Sequence, residues 1–315
     1  MPTTTGLTIP FTGIRRQYNA IRTEILDATD EVLRSGILMD GNYTAEFTNW
    51  IANKNRSKYA ILCHSGTQAL EIIALYFSQR IGIQPPTVVI PALTYPATAN
   101  AWIRAGWNVY ILDTDNYGQM DYRKLPKDIS YQAVCLVGLY GQSVWNTWGG
   151  TGDLKIEDAA QHWLSNQGNR NSEAAAISFD PTKNLANYGN GGAIVTYNRQ
   201  LIDFARDQIN NGKYFKHSDV GTNSRMSEVD CAQMMVKTKY IDQWQQRRKD
   251  IAEYYTEELD GWISIPPVSE LVEHAWSKYV IHHSERSTLK MSLEHLGVET
   301  RINYITPLHQ ANITF

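Results

Sequence analysis

The sequence predicts an α/β fold in three layers, with helices on both faces of a mostly parallel sheet and a small α+β unit towards the C-terminus. Three observations carry this. Short apolar runs at residues 59–63, 87–91, 109–112, 133–139, 154–158, 174–179 and 193–196 have the length of strands, and helical segments separate most of them. Polar residues (Thr67, Tyr95, Asp158, Gln161 and Lys183) collect just beyond the ends of these runs, on the edge where open α/β sheets hold ligands. The chain has 315 residues, 43% of them hydrophobic, which suffices for one large core and a smaller second one.

In chain order, residues 1–15 are rich in Thr and Pro and read as an arm. Ile21, Ile25, Ala28 and Val32 recur at helical spacing within residues 18–33, and Gly36 supplies a left-handed stop. Residues 37–43 form a turn, and Thr44 is expected to cap a helix over 45–53. The strand at 59–63 runs through Ser65-Gly66-Thr67 into a helix beginning at Gln68. That arrangement aims backbone N–H groups at an anion, although capping alone also explains the hydroxyls. A helix over 95–105 follows the strand at 87–91, and residues 210–223 read as a long polar loop. Apolar residues from Val229 to Leu259 predict one long helix or two joined. Residues 262–267 and 276–282 read as strands of the smaller unit, and residues 287–296 as a helix closed by Gly297. The expected division is an arm over 1–15, a large domain over 16–215, and a linking helix with a small domain over 216–315.

The formal net charge is −3 and the basic residues are scattered, so nucleic acid and anionic membranes are not expected partners. Cys63, Cys135 and Cys231 are isolated, without metal-ligand spacing, and point to a reducing compartment. No metal site is expected. With no signal pattern at the N-terminus and no apolar run of spanning length, a soluble cytoplasmic protein is expected.

Lys183 stands out on chemical grounds. It follows the buried strand at 174–179 and the Pro181 turn, and it precedes a loop containing Gly189, Gly191 and Gly192. A lone loop lysine is usually solvated. One held against a buried strand loses hydration, its pKa falls, and the free amine can attack a carbonyl.

Five motifs then agree in order: His64-Ser65-Gly66-Thr67-Gln68-Ala69-Leu70, the stretch from Pro91 to Ala101, Glu157-Asp158-Ala159-Ala160-Gln161, Ser178-Phe179 with Lys183 and Gly191-Gly192-Ala193, and Asn223-Ser224-Arg225-Met226-Ser227-Glu228. Together they resemble the DegT/DnrJ/EryC1/StrS family of pyridoxal-phosphate-dependent sugar aminotransferases, from about Ile9 to His309. The resemblance implies the fold-type I transferase architecture of the aspartate aminotransferase superfamily. It also implies amino transfer from an amino acid, glutamate being the expected donor, to a keto group on a nucleotide-linked sugar.

By that resemblance Lys183 forms the Schiff base with pyridoxal 5'-phosphate and later shuttles a proton, while Asp158 pairs with the ring nitrogen. Gln161 lies near the cofactor's phenolic oxygen, one helical turn past Asp158, and Tyr95 stacks on the ring. Ser65, Gly66, Thr67 and Ser178 hold the phosphate. Asn223 reaches the phosphate from the other subunit, which implies a homodimer with a shared site. Tyr304, His309, Lys213 and Tyr214 are the implied substrate contacts.

The sequence departs from the family in two places. Relatives continue for several dozen residues past Pro307-Leu308-His309, so the small domain is expected to lack its last helix and strand. Residues 144–153 hold Trp145, Trp148, Gly149 and Gly150 in place of a segment with Pro and Asp. Two further readings stay open: a catalytically altered or regulatory homologue of the same fold, and an aminotransferase acting on a cyclitol ketone.

Overall fold

The computed structural model describes residues 8–144, 154–165, 172–213, 220–265, 268 and 273–311. Tyr214, residues 145–153 and parts of the expected arm and of the strand at 262–267 lie outside them.

The centre of the molecule is a seven-stranded sheet in the order β1-β7-β6-β5-β4-β2-β3. The strands are β1 Tyr59–Cys63, β2 Thr87–Pro91, β3 Asn108–Leu112, β4 Ala133–Val137, β5 Leu154–Asp158, β6 Ala174–Ser178 and β7 Gly192–Thr196. Strands β2 to β6 pair in parallel, while β7 runs antiparallel to both β6 and β1. The reason is local. A parallel return needs a long crossover, usually a helix, and residues 179–191 hold none. Every residue of β4, β6 and β7 is buried, which is why these strands read as unbroken apolar runs.

Alternate residues of each strand serve opposite faces. On one face Ile61, Cys63, Ala174 and Ala176 join α3 (Gly66–Ser78), α4 (Ala97–Arg104) and α5 (Arg199–Gln208) through Leu70, Ile73, Trp102 and Phe204. On the other, Leu62, Ala175 and Ile177 pack with Phe47 and Ile51 of α2 (Asn42–Lys54) and Met234 of α6 (Glu228–Thr238). The expected three layers are therefore present. Helix α1 (Ile14–Ser35) lays Ile21, Ile25, Ala28 and Val32 on Ala232 and Val236 of α6, and Gly36 closes it at φ 69°.

Several elements differ from expectation. Helix α2 is not capped by Thr44; it is capped from α6, as the Glu228 carboxylate accepts from the N–H groups of Gly41, Tyr43 and Thr44 at 2.9, 2.6 and 3.1 Å. Helix α5 is an addition to the expected elements, and Asn198 caps it by accepting from the N–H groups of Gln200 and Leu201. The apolar stretch after Val229 forms two helices, α6 and α7 (Ile241–Leu259), parted at Lys239 and Tyr240. Among the described residues, the strands expected over 262–267 and 276–282 reduce to one bridge, Ser264 with His282. Tyr279 packs its ring on Trp276 and Tyr255 instead, and Trp262 is 88% exposed. Helix α8 (Arg286–His295) ends before Gly297 at φ 78°. The segment after it is tied to the N-terminal arm: Ile9 N–H donates to the Gly297 carbonyl at 2.7 Å and Glu299 N–H to Ile9 at 3.0 Å.

Candidate active site

The C-terminal ends of β1, β2, β4, β5 and β6 open on one edge, where β7 begins. At the end of β1, Ser65 caps α3, its Oγ accepting from Gln68 N–H at 3.2 Å. Nothing among the described residues takes the N–H groups of Gly66 and Thr67. A Cβ on Gly66 would lie 2.8 Å from the Ser178 Cβ, and one on Gly192 2.3 Å from the Ser65 carbonyl carbon. Only glycine lets the turn, the end of β6 and the start of β7 approach this closely. The expected set Ser65, Gly66, Thr67 and Ser178 is thus brought together.

Asp158 ends β5 and is 7% exposed. Its Oδ2 accepts from the Thr98 hydroxyl at 2.7 Å, and its Oδ1 from Ala160 N–H at 3.2 Å. Thr98 in turn shares a 2.8 Å hydrogen bond with Thr94. These contacts fix the carboxylate in a buried setting. The following residues form a tight turn, not the start of a helix, with His162 N–H and Trp163 N–H both returning to the Ala159 carbonyl.

Lys183 closes the turn after β6, its N–H donating to the Asp180 carbonyl at 2.9 Å. The Asp180 side chain accepts from the N–H and hydroxyl of Thr182 at 2.9 and 2.5 Å. Burial pushes the Lys183 amine below the ordinary lysine pKa, against the pull of Asp158 and then Asp180. The loop beyond is held at several points, including Asn187 N–H to the Phe179 carbonyl at 2.7 Å and Asn184 Nδ2 to the Ala275 carbonyl at 2.7 Å.

A third group borders the same edge. Gln161 accepts from Tyr140 N–H at 2.8 Å and donates to the Tyr304 hydroxyl at 3.4 Å. The Tyr95 and Tyr304 rings are 6.0 Å apart, and Tyr95 is 57% exposed. Burial pushes the Tyr304 phenol up to about 12. Three expected residues are not gathered here. Lys213 and Asn223 are exposed on this chain, Asn223 beside Thr222, which accepts from Gln68 Nε2 at 2.7 Å. His309 is exposed within electrostatic reach of Asp113, although its neighbour Leu308 is tied by its N–H to the Ala92 carbonyl at 3.0 Å.

Sequence reading missed Thr98, Thr94, Tyr140 and Lys278. The spacing of Thr94 and Thr98 places both on one side of a helical turn, a usable signal. Lys278 reaches the Lys183 turn from far along the chain, donating to the Thr182 carbonyl at 3.1 Å, and no local pattern marks it.

The sequence matches the DegT/DnrJ/EryC1/StrS aminotransferase family over residues 19–314. The chain belongs to that family. It is 32% identical to a dTDP-3-amino-3,6-dideoxy-alpha-D-galactopyranose transaminase of Aneurinibacillus thermoaerophilus, over 96% of this chain and 86% of the relative. It is 31% identical, with the same two coverages, to a protein of Geobacillus stearothermophilus named as a pleiotropic regulatory protein. Among solved structures it resembles S. venezuelae DesV in complex with a ketimine intermediate, with a TM-score of 0.89, 27% identity, and 97% of this chain and 86% of that one covered. Bacillus subtilis ntda with bound cofactor PMP gives a TM-score of 0.83 at 25% identity, covering 99% of this chain and 76% of that one. The expected family, transferase fold and aminotransferase class therefore stand for this DegT/DnrJ/EryC1/StrS member. Among its described residues no helix is long and apolar enough to cross a membrane.

Proposed function

We propose that the protein moves an amino group from an amino-acid donor, glutamate, to the keto carbon of a nucleotide-linked sugar, with pyridoxal 5'-phosphate attached at Lys183. The observation that carries this is the placement of Lys183: half-buried at the turn that ends β6, its amine without a hydrogen-bond partner among the described residues and in the field of buried Asp158. The residues present fit the cofactor. Gly66 and Thr67 offer unpaired N–H groups at a helix start beside the Ser178 hydroxyl, a seat for a phosphate.

When bound, the cofactor supplies an electron sink for the carbon that loses its proton. The chain does the rest. Asp158, oriented by Thr98 and the Ala160 N–H, would hold a proton on the ring nitrogen. The lowered pKa leaves Lys183 able to act as a neutral amine, first as the attachment point and then as the base that moves the proton at the donor's α carbon. Tyr95, exposed beside Tyr304, would lie over the cofactor, and Gln161 would be a polar partner for it. The balance is an amino acid and a keto sugar giving an oxo acid and an amino sugar. Asn223, exposed here, is the residue that a second copy would bring to the phosphate, so the working unit is a homodimer with a shared site. Tyr304 borders the sugar, with Lys213 and His309 as outer contacts.

In the test, purified wild-type protein shows the absorbance band of lysine-bound cofactor and passes label from 15N-glutamate to a keto-sugar nucleotide, read by mass. Lys183→Ala should lose both, and a normal band in that variant would sink the assignment. The name of the Geobacillus relative supports a regulatory reading, which predicts the band without transfer. A cyclitol ketone in the same assay tests the remaining acceptor class.

A further inference from the structure

A cavity of about 90 Å³ lies against the Lys183 turn, lined by Gly13, Ile14, Lys183, Arg248, Ser277 and Lys278 among others. Its polar wall is cationic and poorly neutralised. Among the described residues the Lys278 ammonium donates to two carbonyls, those of Thr182 and Ser277, each at 3.1 Å. Arg248 donates to the Trp276 carbonyl at 3.3 Å. Burial first, then the neighbouring charges of Lys183 and Arg248, push the Lys278 amine down to about 8, against a weaker pull from Asp180. Asp180 is already engaged by Thr182.

Two further features point into the same space. Ser277 is 4% exposed, and its Oγ has no hydrogen-bond partner among the described residues. A buried hydroxyl without a partner is uncommon and calls for one. Helix α1, 22 residues long, starts at the cavity with no side-chain cap at Gly13 and no acid in its first turn. Its free N–H groups add positive potential there. Two half-buried cations, a buried hydroxyl and a helix start are together the complement of a small anion.

We propose that this cavity binds a carboxylate group of the amino donor, held by Lys278, Arg248, the Ser277 hydroxyl and the N-terminus of α1. The assignment rests on the amino-transfer reading of Lys183. The cofactor's phosphate has a different seat at Gly66 and Ser178, and the cavity shares only Lys183 with that site. Its volume suits one carboxylate with a water or two, since a water occupies about 30 Å³. A nucleotide diphosphate needs more room. A donor carboxylate placed here sets its amino group beside the lysine.

The test is calorimetric titration of the purified protein with glutarate, a diacid without an amino group, and with inorganic phosphate. Wild type should bind glutarate saturably and more tightly than phosphate. Lys278→Met should weaken glutarate about tenfold or more, Lys278→Arg should retain most of the affinity, and Ser277→Ala should weaken it severalfold. Unchanged glutarate affinity in Lys278→Met, or tighter binding of phosphate than glutarate, would overturn the proposal. If Lys278→Met does not fold, Ser277→Ala, which removes a single oxygen, decides by the same criterion. A normal cofactor band in Lys183→Ala would bring down the amino-transfer reading alone, because glutarate binding needs no turnover.

Discussion

The Nζ of Lys237 donates a 2.5 Å hydrogen bond to the Ala186 carbonyl and lies 3.4 Å from the centroid of the Tyr188 ring. Lys237 is completely buried, and burial alone pushes its pKa down to about 8. Ala186 and Tyr188 belong to the loop that follows Lys183, so a lysine of α6 tethers the segment that carries the proposed catalytic amine. The cation over the aromatic face offsets part of its desolvation.

Stability should therefore depend on pH through this residue. Below pH 8 both states hold the proton, and the folded state bears the full cost of burying it. Between about 8 and the ordinary value of 10.5 the unfolded chain holds more protons, so stability rises with pH. Comparing urea unfolding near pH 7 and pH 9.5, wild type should gain about 1–2 kcal/mol relative to Lys237→Met, one pKa unit being worth about 1.4 kcal/mol. Lys278 titrates in the same window in both proteins and cancels. An equal pH response in the two proteins would remove Lys237 as the cause.

Thr98 should act through Asp158. Thr98→Val keeps the shape of a fully buried side chain and deletes the 2.7 Å hydrogen bond to the carboxylate. A hydrogen bond to a charged group contributes about 1.5–3 kcal/mol. Turnover of the cofactor-loaded protein should fall about tenfold or more, and the absorbance band of the bound cofactor should shift its pH dependence. Thr98→Ser should restore both. A Val variant with lower stability but unchanged spectrum and rate would make Thr98 purely structural.

What the sequence disclosed and what it concealed divide along physical lines. Lys183, Asp158 and the Ser65-Gly66-Thr67 turn are legible because strand ends and helix starts are local patterns, and the sheet brings those ends to one edge; Ser178, inside an apolar run, is marked only by the family resemblance. The direction of β7 is not carried by its apolar run; it follows from the short, helix-free connection over residues 179–191. Residues 276–282 alternate like a strand, but Tyr279 found aromatic neighbours in place of a pairing edge. Lys237 and Lys278 carry no local mark at all: their surroundings come from residues 51 and 96 positions away in the chain. Such groups emerge only when distant segments are packed together.

Glu228 illustrates the same point at the start of α2, and it makes a prediction of its own. Its carboxylate accepts from the N–H groups of Gly41, Tyr43 and Thr44 at the helix start and from the Thr44 hydroxyl at 2.5 Å, satisfying donors that a local cap would otherwise serve. Thr44→Ala should cost about 1 kcal/mol, since the backbone donors keep their partner. Glu228→Ala leaves those donors without one and should cost about 2–4 kcal/mol, measured by chemical unfolding. Gly41→Ala should also destabilise, because its Cβ would lie 2.5 Å from the Glu228 Oε1 and push the carboxylate off the helix end. If Thr44→Ala cost as much as Glu228→Ala, the cap would belong to the threonine after all. The link between α6 and α2 would then be incidental to the stability of both.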